Sequence, residues 1–556
     1  MKKILFYFII AGFVLSGCRD WLDINRDPNN AEVSLVTIDI FLPANQTSIA
    51  TILNNSSNQG FLAHHLTKSG SVGGTFNFLT GRIQPQDSNT FWSDLYTINT
   101  NLDIVRQKAL EINSTAYEGI AITLMAHNYQ RLVDMFGNVP YSEALQGTAL
   151  YQPKYDDAKE IYNSLVSDLD HAIACFETGK SAEQTEISRV YRLSTVDKMG
   201  AGSMDKWIRF ANSLKLRILM RMSGVQNVAA QVEAIKDKCL APTEVMSCDP
   251  GYQKISGKMR PWNTTFGWNQ NNSIISGQNY YRPTRDLIDM LRDNNDPRLR
   301  VYANPRPTNG EDPRGYANYT AFGLQNETYI GIPYGQQNPP ENTHTCGIGV
   351  GTLYLQYAST LDPIAATPIL GGFESSFLLA EAALKGYISG GDAQAKTHYE
   401  AGVRGVFSFY QSPLQLATAS FPSVVTGVVR APITGTAVQA ADTYLSQTGN
   451  TFCNWSAMTT NDQKLEAIAS QKWISLFGVN SIEAWSEQRR LDLPVLGSST
   501  QAQVLYNISI LLYPQTEINL NYDNYIIHGE TRNVTSTLVF WDAANPLAPR
   551  VREYLN

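Results

Sequence analysis

Five aromatic side chains crowd residues 260–283, RPWNTTFGWNQNNSIISGQNYYRP: Trp262, Phe266, Trp268, Tyr280 and Tyr281. Among them stand seven asparagine or glutamine residues and two arginines, Arg260 and Arg282. Flat apolar rings suit the C–H face of a pyranose, and amides and guanidinium groups suit its hydroxyls. The same rings could instead pin an irregular loop to a scaffold. Ring exposure separates the two readings, since a stacking platform needs Trp262 and Trp268 partly exposed. A second stretch, GGTFNFLTGRIQPQDSNTFW (73–92), offers Phe76, Phe78 and Arg82 ahead of a helix beginning near Phe91. Trp92, Trp207, Trp473 and Trp485 fall on helical spacings and are assigned to packing.

Catalysis finds little foothold. The chain has no HExxH, GxSxG or Walker motif. CGIGVG (346–351) lacks the third-glycine spacing and the following helix of a nucleotide loop. Adjacent histidines, His64 and His65, point apart on a helix or strand, so exposure or a local hydrogen bond is expected rather than metal ligation. Fifty acidic residues guarantee carboxylate pairs by chance, so none can be singled out as a glycosidase pair. No catalytic residue, metal ligand or cofactor is assigned, and the chain is read as a non-enzyme.

The elements that must position the aromatic loops are helical. DAKEIYNSLVSDLDHAIACF sets Ile161, Leu165, Leu169, Ile173 and Phe176 on one stripe, and MDKWIRFANSLKLRILMRMSG does so with Trp207, Phe210, Leu214, Ile218 and Met222. Gly224 suits the C′ position of the latter, and another long helix is expected to end at Gly137. This block spans about 90–235. A second, about 372–491, opens with two helices joined by Ser389-Gly390-Gly391, with Asp392 as N-cap. Ala380, Ala382 and Ala383 leave room for a partner helix, and such helix pairs look tetratricopeptide-like. Thr460 with Gln463 forms a capping-box signature, and Gly478 closes that helix. Between the blocks, residues 250–357 hold ten of the 25 prolines and no sustained period, and read as loops. Long loops in a folded body are often functional.

The N-terminus bears on location. Lys2 and Lys3 precede an apolar run from Ile4 to Leu15, and Leu15-Ser16-Gly17-Cys18 resembles a bacterial lipobox. Residues 1–17 are thus expected to be a lipoprotein signal peptide, Cys18 the lipidated residue and 18–35 a tether. The remainder, 36–556, reads as a single body. Hydrophobic residues make up 43% and charged residues 17% of the 556, with a formal net charge of −7. An acidic chain without a Lys/Arg run is a poor match for nucleic acid. Five cysteines follow Cys18: an odd set and no disulfide framework, although Cys239 and Cys248 could close a small loop.

Five stretches taken together resemble the SusD/RagB family of outer-membrane lipoproteins, nearest its starch-binding-associating, SusD-like branch. They are MFGNVPYSEAL (135–145), AKEIYNSLVSDLDHAI (158–173), FLLAEAALKG (377–386), ASQKWISLFGVNSIEAWSEQRRLDLP (469–494) and YPQTEINLNYDNY (513–525). The start Trp21-Leu22-Asp23-Ile24-Asn25 adds to the match. The resemblance implies a mostly α fold of tetratricopeptide-like helix pairs in a right-handed superhelix, with a loop-rich section facing the ligand. It also implies a cell-surface position on a SusC-like, TonB-dependent transporter and delivery of glycans, or in some members peptides. Asp20 and Asp23 look like the acidic export signal of such lipoproteins, interrupted by Arg19. Phe76, Phe78 and Arg82 occupy the place where sugar-contacting residues lie in starch-binding members. A surface glycoside hydrolase is the alternative from another class.

Overall fold

Apolar residues three and four positions apart build the scaffold one helix at a time. The computed structural model describes residues 37–53, 56–74, 76–267, 269–271, 275–304, 329–340, 345–348, 365–410, 436–499, 508–529, 531–542 and 552–554. The first helical block contains α1 (Asn89–Glu111), α2 (Thr115–Phe136), α3 (Ala158–Gly179) and α4 (Met204–Met222). The second contains α5 (Gly372–Leu384), α6 (Gly391–Phe409), α7 (Asn461–Ser475) and α8 (Ser481–Leu491). Helix α2 packs on both α1 and α3, α3 packs on α4, and α5 on α6. Helices α4 and α7 both meet α5, which joins the blocks. The fold is mostly helical and tetratricopeptide-like, as read from the sequence.

The stripes are buried with one exception. Ile161, Leu165, Leu169 and Phe176 lie in the core, as do Trp207, Phe210, Leu214, Ile218 and Met222. Ile173 is only half-buried, because Ala172 takes the inward position beside it. Close approach of α2 to α3 depends on Gly119, where an added Cβ would come within 2.7 Å of the Phe176 ring. Ala380, Ala382 and Ala383 are buried in α5.

Capping follows the sequence at some ends and departs at others. Thr460 and Gln463 form both halves of a capping box, and Gly137 ends α2 with a positive φ of 69°. The expected cap Asp392 instead lies in the first turn of α6, after Gly390 as N-cap. Its carboxylate accepts from Lys464 Nζ at 2.6 Å, so a tertiary partner has claimed it. Gly224 has no left-handed φ; α4 ends at Met222, and its C-cap Ser223 donates its N–H to the Met220 carbonyl. Cys239 and Cys248 are free thiols, which overturns the small disulfide loop.

Residues 250–357 are less loop-like than their proline content suggests. Short helices form at Pro261–Phe266, Ser276–Tyr280, Arg285–Asp293 and Leu299–Tyr302. Thr284 caps the third, accepting from the Leu287 N–H. The proline-rich 305–328 lies outside the described residues, as does the second half of CGIGVG, 349–351.

An ionic network crosses the interior where the two blocks meet. Arg217 of α4 donates to both oxygens of Glu374 of α5, at 2.7 and 2.8 Å. Arg221 donates to Glu483 of α8 at 2.6 Å. Lys472 of α7 lies 3.1 Å from Glu487, and Arg490 grips Glu381 at 2.6–2.7 Å. All are buried. Buried charges are tolerated only when paired with good geometry, so the network ties four helices to one mutual arrangement. Arg490 holds the Glu381 carboxyl well below its usual range, against the upward pull of burial.

Candidate functional site

The two aromatic-rich stretches meet through a pair of short strands. Strand β1 (Leu66–Lys68) pairs antiparallel with β2 (Tyr281–Pro283), setting Lys68 opposite Tyr281. Beyond the strands, Ser69 N–H donates to the Tyr280 carbonyl at 2.8 Å and Ser69 Oγ–H to the Asn279 carbonyl at 2.6 Å. The loop after β1 then brings Phe76 to 6.3 Å from the Tyr281 ring, centroid to centroid. Tyr281 also meets Phe61, Phe266 and Tyr280 in edge contacts.

Exposure sorts the candidates, and it corrects the reading of the first stretch. Trp262 is 4% exposed and Phe266 is fully buried. Pro261 starts a six-residue helix that turns both rings inward, 4.4 Å apart, with Trp262 edge-on to Phe477. They anchor the loop and are not free to stack on a ligand. Phe78 is buried too, packed against Phe91. Trp268 lies outside the described residues. Tyr280 is 36% exposed, Tyr281 and Phe76 are half-buried against the core, and Arg82 is exposed. Phe76, Tyr281 and Tyr280, in ring contact through Tyr281, are the remaining ring candidates from the two loops, and Arg82 is the remaining exposed polar one. Trp92, Trp207, Trp473 and Trp485 are buried on helices, as assigned.

A small cavity of about 170 Å³ opens beside the second stretch. Asp87, Phe91 and Asp94 line one side; Asn58, Gln59 and Arg131 line others. Asp87 is already engaged, accepting from Asn77 Nδ2 and the Gln84 N–H. Burial raises the Asp94 carboxyl. Arg131 is 4% exposed, and its Nε and Nη1 have no hydrogen-bond partner among the described residues. Burial, with Arg217 nearby, pushes its guanidinium down to about 10. A cavity with a free guanidinium edge and carboxylates suits an oxygen-rich, hydroxylated group. Sequence reading missed Arg131, which sits on α2 with no local signal of what it faces.

The histidine pair sits elsewhere and is inward-facing. His65 Nε2 lies 3.0 Å from the Trp473 carbonyl oxygen, the local hydrogen bond expected for it. His64 stacks on Tyr334 with centroids 3.6 Å apart. Burial pushes both imidazoles down to about 3, so they stay neutral.

A protein-family model described as "Starch-binding associating with outer membrane", of SusD-like type, matches residues 28–514. A SusD homologue from Bacteroides fragilis superposes with a TM-score of 0.68 at 19% identity, covering 91% of this chain and 99% of its own. A chitin-binding SusD homologue from Flavobacterium johnsoniae gives 0.65 at 19% identity, covering 91% and 98%. A SusD-like protein from Bacteroides thetaiotaomicron gives 0.65 at 20% identity with the same coverage. No curated protein matches the chain.

Proposed function

The chain belongs to the SusD-like family described as starch-binding and associating with the outer membrane, and on that premise we propose that it captures oligosaccharides and passes them to a SusC-like, TonB-dependent transporter. The observation that carries the ligand class is the β1–β2 pairing, with the Tyr281 ring in contact with both the half-buried Phe76 and the exposed Tyr280. Partly exposed rings contribute stacking to a sugar, and Arg82 adds donors for its hydroxyls. The protein acts without chemistry of its own, as a binding partner on the cell exterior. Its anchor is a lipid on Cys18, with 1–17 removed as a signal peptide and 18–35 serving as tether. Two or more acyl chains hold such an anchor stably, at about 0.8 kcal/mol per buried CH₂.

Isothermal titration of the purified protein against a panel of oligosaccharides tests the reading, with new reducing ends assayed in parallel. Saturable binding without turnover is expected. Binding to peptide mixtures and to no glycan would reassign the ligand, and new reducing ends would make the protein a hydrolase.

A further inference from the structure

Away from the aromatic rings, three side chains of different chemistry converge where α2 packs on α3. His171 and Cys175 lie four residues apart on α3, and so share one face of it. Glu118 reaches them from the first turn of α2, next to Gly119, the residue that allows the close approach. His171 Nε2 is 3.0 Å from Glu118 Oε1 and 3.6 Å from Cys175 Sγ. The three donor atoms all lie within 4.8 Å of one another. From these residues we propose a zinc site formed by Glu118 Oε1, His171 Nε2 and Cys175 Sγ, with a fourth position open to solvent.

The spacing supports a single small ion. Zinc takes sulfur at ~2.3 Å and nitrogen or oxygen at ~2.0–2.1 Å, so a tetrahedron separates sulfur from nitrogen by ~3.5 Å and nitrogen from oxygen by ~3.3 Å. The two observed separations from His171 Nε2, 3.6 and 3.0 Å, need adjustments of only a few tenths of an ångström, and the third pair, Cys175 with Glu118, lies within 4.8 Å and must draw closer on binding. The donor set selects the metal. Calcium and magnesium take oxygen ligands, whereas a thiolate with imidazole and one carboxylate suits zinc. Binding converts the Cys175 thiol to a thiolate and releases its proton to water.

The fourth position has somewhere to face. Glu118 and His171 both line a cavity of about 700 Å³, whose walls also carry Arg106, Tyr129, Tyr141 and Asp168. The His171 side chain is 58% exposed, so an ion can enter without unfolding the helices. Asp168 stands one turn before His171 and accepts from the Tyr141 hydroxyl at 2.5 Å. The site would also tie α2 to α3.

Cobalt(II) titration of the chelator-treated full chain tests this, because the ion reports its ligands in its spectrum. One equivalent should give a thiolate-to-cobalt charge-transfer band and strong four-coordinate visible bands, both displaced by zinc. Loss of even an outer partner of a zinc ligand costs ~10–100-fold in affinity, so His171→Ala and Glu118→Gln should each weaken zinc binding by at least ~100-fold. Cys175→Ser should abolish the charge-transfer band, while Cys239→Ser should retain it. Because His171 is at the surface, its variant should keep the helical circular dichroism of the wild type. No charge-transfer band at saturating cobalt would overturn the proposal, as would a band that survives Cys175→Ser. Zinc affinity unchanged in the folded His171→Ala variant would do the same.

Discussion

Trp262 and Tyr280 stand in the same aromatic-rich stretch, yet one is 4% and the other 36% exposed. Their truncations should therefore separate. Trp262→Ala empties a packed site against Phe266 and Phe477 and should cost ~3–5 kcal/mol of stability. Glycan affinity in the surviving fold should stay near wild type. Tyr280→Ala should leave the melting temperature unchanged but weaken binding ~5- to 150-fold, equivalent to ~1–3 kcal/mol of stacking. Melting curves and titrations on both variants check the contrast, and a reversal of the two phenotypes would refute the assignment of the face. Single residues also set the acid response. Burial pushes His64, His65 and His127 down to about 3. The unfolded chain protonates them near pH 6.5 while the fold cannot. Their contribution is thus fully present above pH ~6.5 and is lost as pH falls toward 3. Denaturant unfolding should show stability declining from pH 7 to pH 5, with a shallower slope in His127→Gln. An unchanged slope in that variant would remove His127 from the account.

At the scale of elements, charges buried between helices matter more than charges along them. Arg490 reaches from α8 to Glu381 of α5 and to Glu487 one turn away, all three buried. Arg490→Ala leaves two glutamates without that partner in the interior and should cost ~3–5 kcal/mol in urea unfolding. The Arg189–Glu186 pair is as short, at 2.5 Å, but exposed. Arg189→Ala should leave the melting temperature unchanged, because solvent screens such a pair. Equal losses in the two variants would mean that burial does not set what these charge pairs contribute. Helix ends show the same precedence of tertiary over local partners. Asp392 has a good N-cap residue type, but Lys464 from α7 takes its carboxylate.

At the scale of the whole molecule, the proposed anchor and the proposed partner can each be tested. Among the described residues no helix is long and apolar enough to cross a membrane; in the proposed function, membrane retention rests on a lipid at Cys18. Cys18→Ala should abolish fatty-acid labelling and move the protein to the soluble fraction of a cell lysate. The wild type should co-purify with a β-barrel transporter from detergent-solubilised outer membranes. Retention of the unlabelled variant in the membrane would refute the anchor, and recovery of the wild type alone would refute the partnership.

The sequence by itself determined the helical scaffold, because a period of 3.6 is a local property. Leu165, Leu214 and Trp207 could be placed in the core from their neighbours alone. So could the Thr460–Gln463 capping box, which closes within one turn. The family was also legible, from five short stretches in order along the chain. What only the tertiary structure decided is which way the irregular segments face. Residues 260–283 have no sustained period, so the burial of Trp262 and the exposure of Tyr280 depend on the helices beneath them. The pairing of Leu66–Lys68 with Tyr281–Pro283 joins segments more than two hundred residues apart. The convergence of Glu118 on His171 and Cys175 is similar: half of it, the four-residue spacing on α3, is visible in the sequence. The other half required two helices to pack at a glycine.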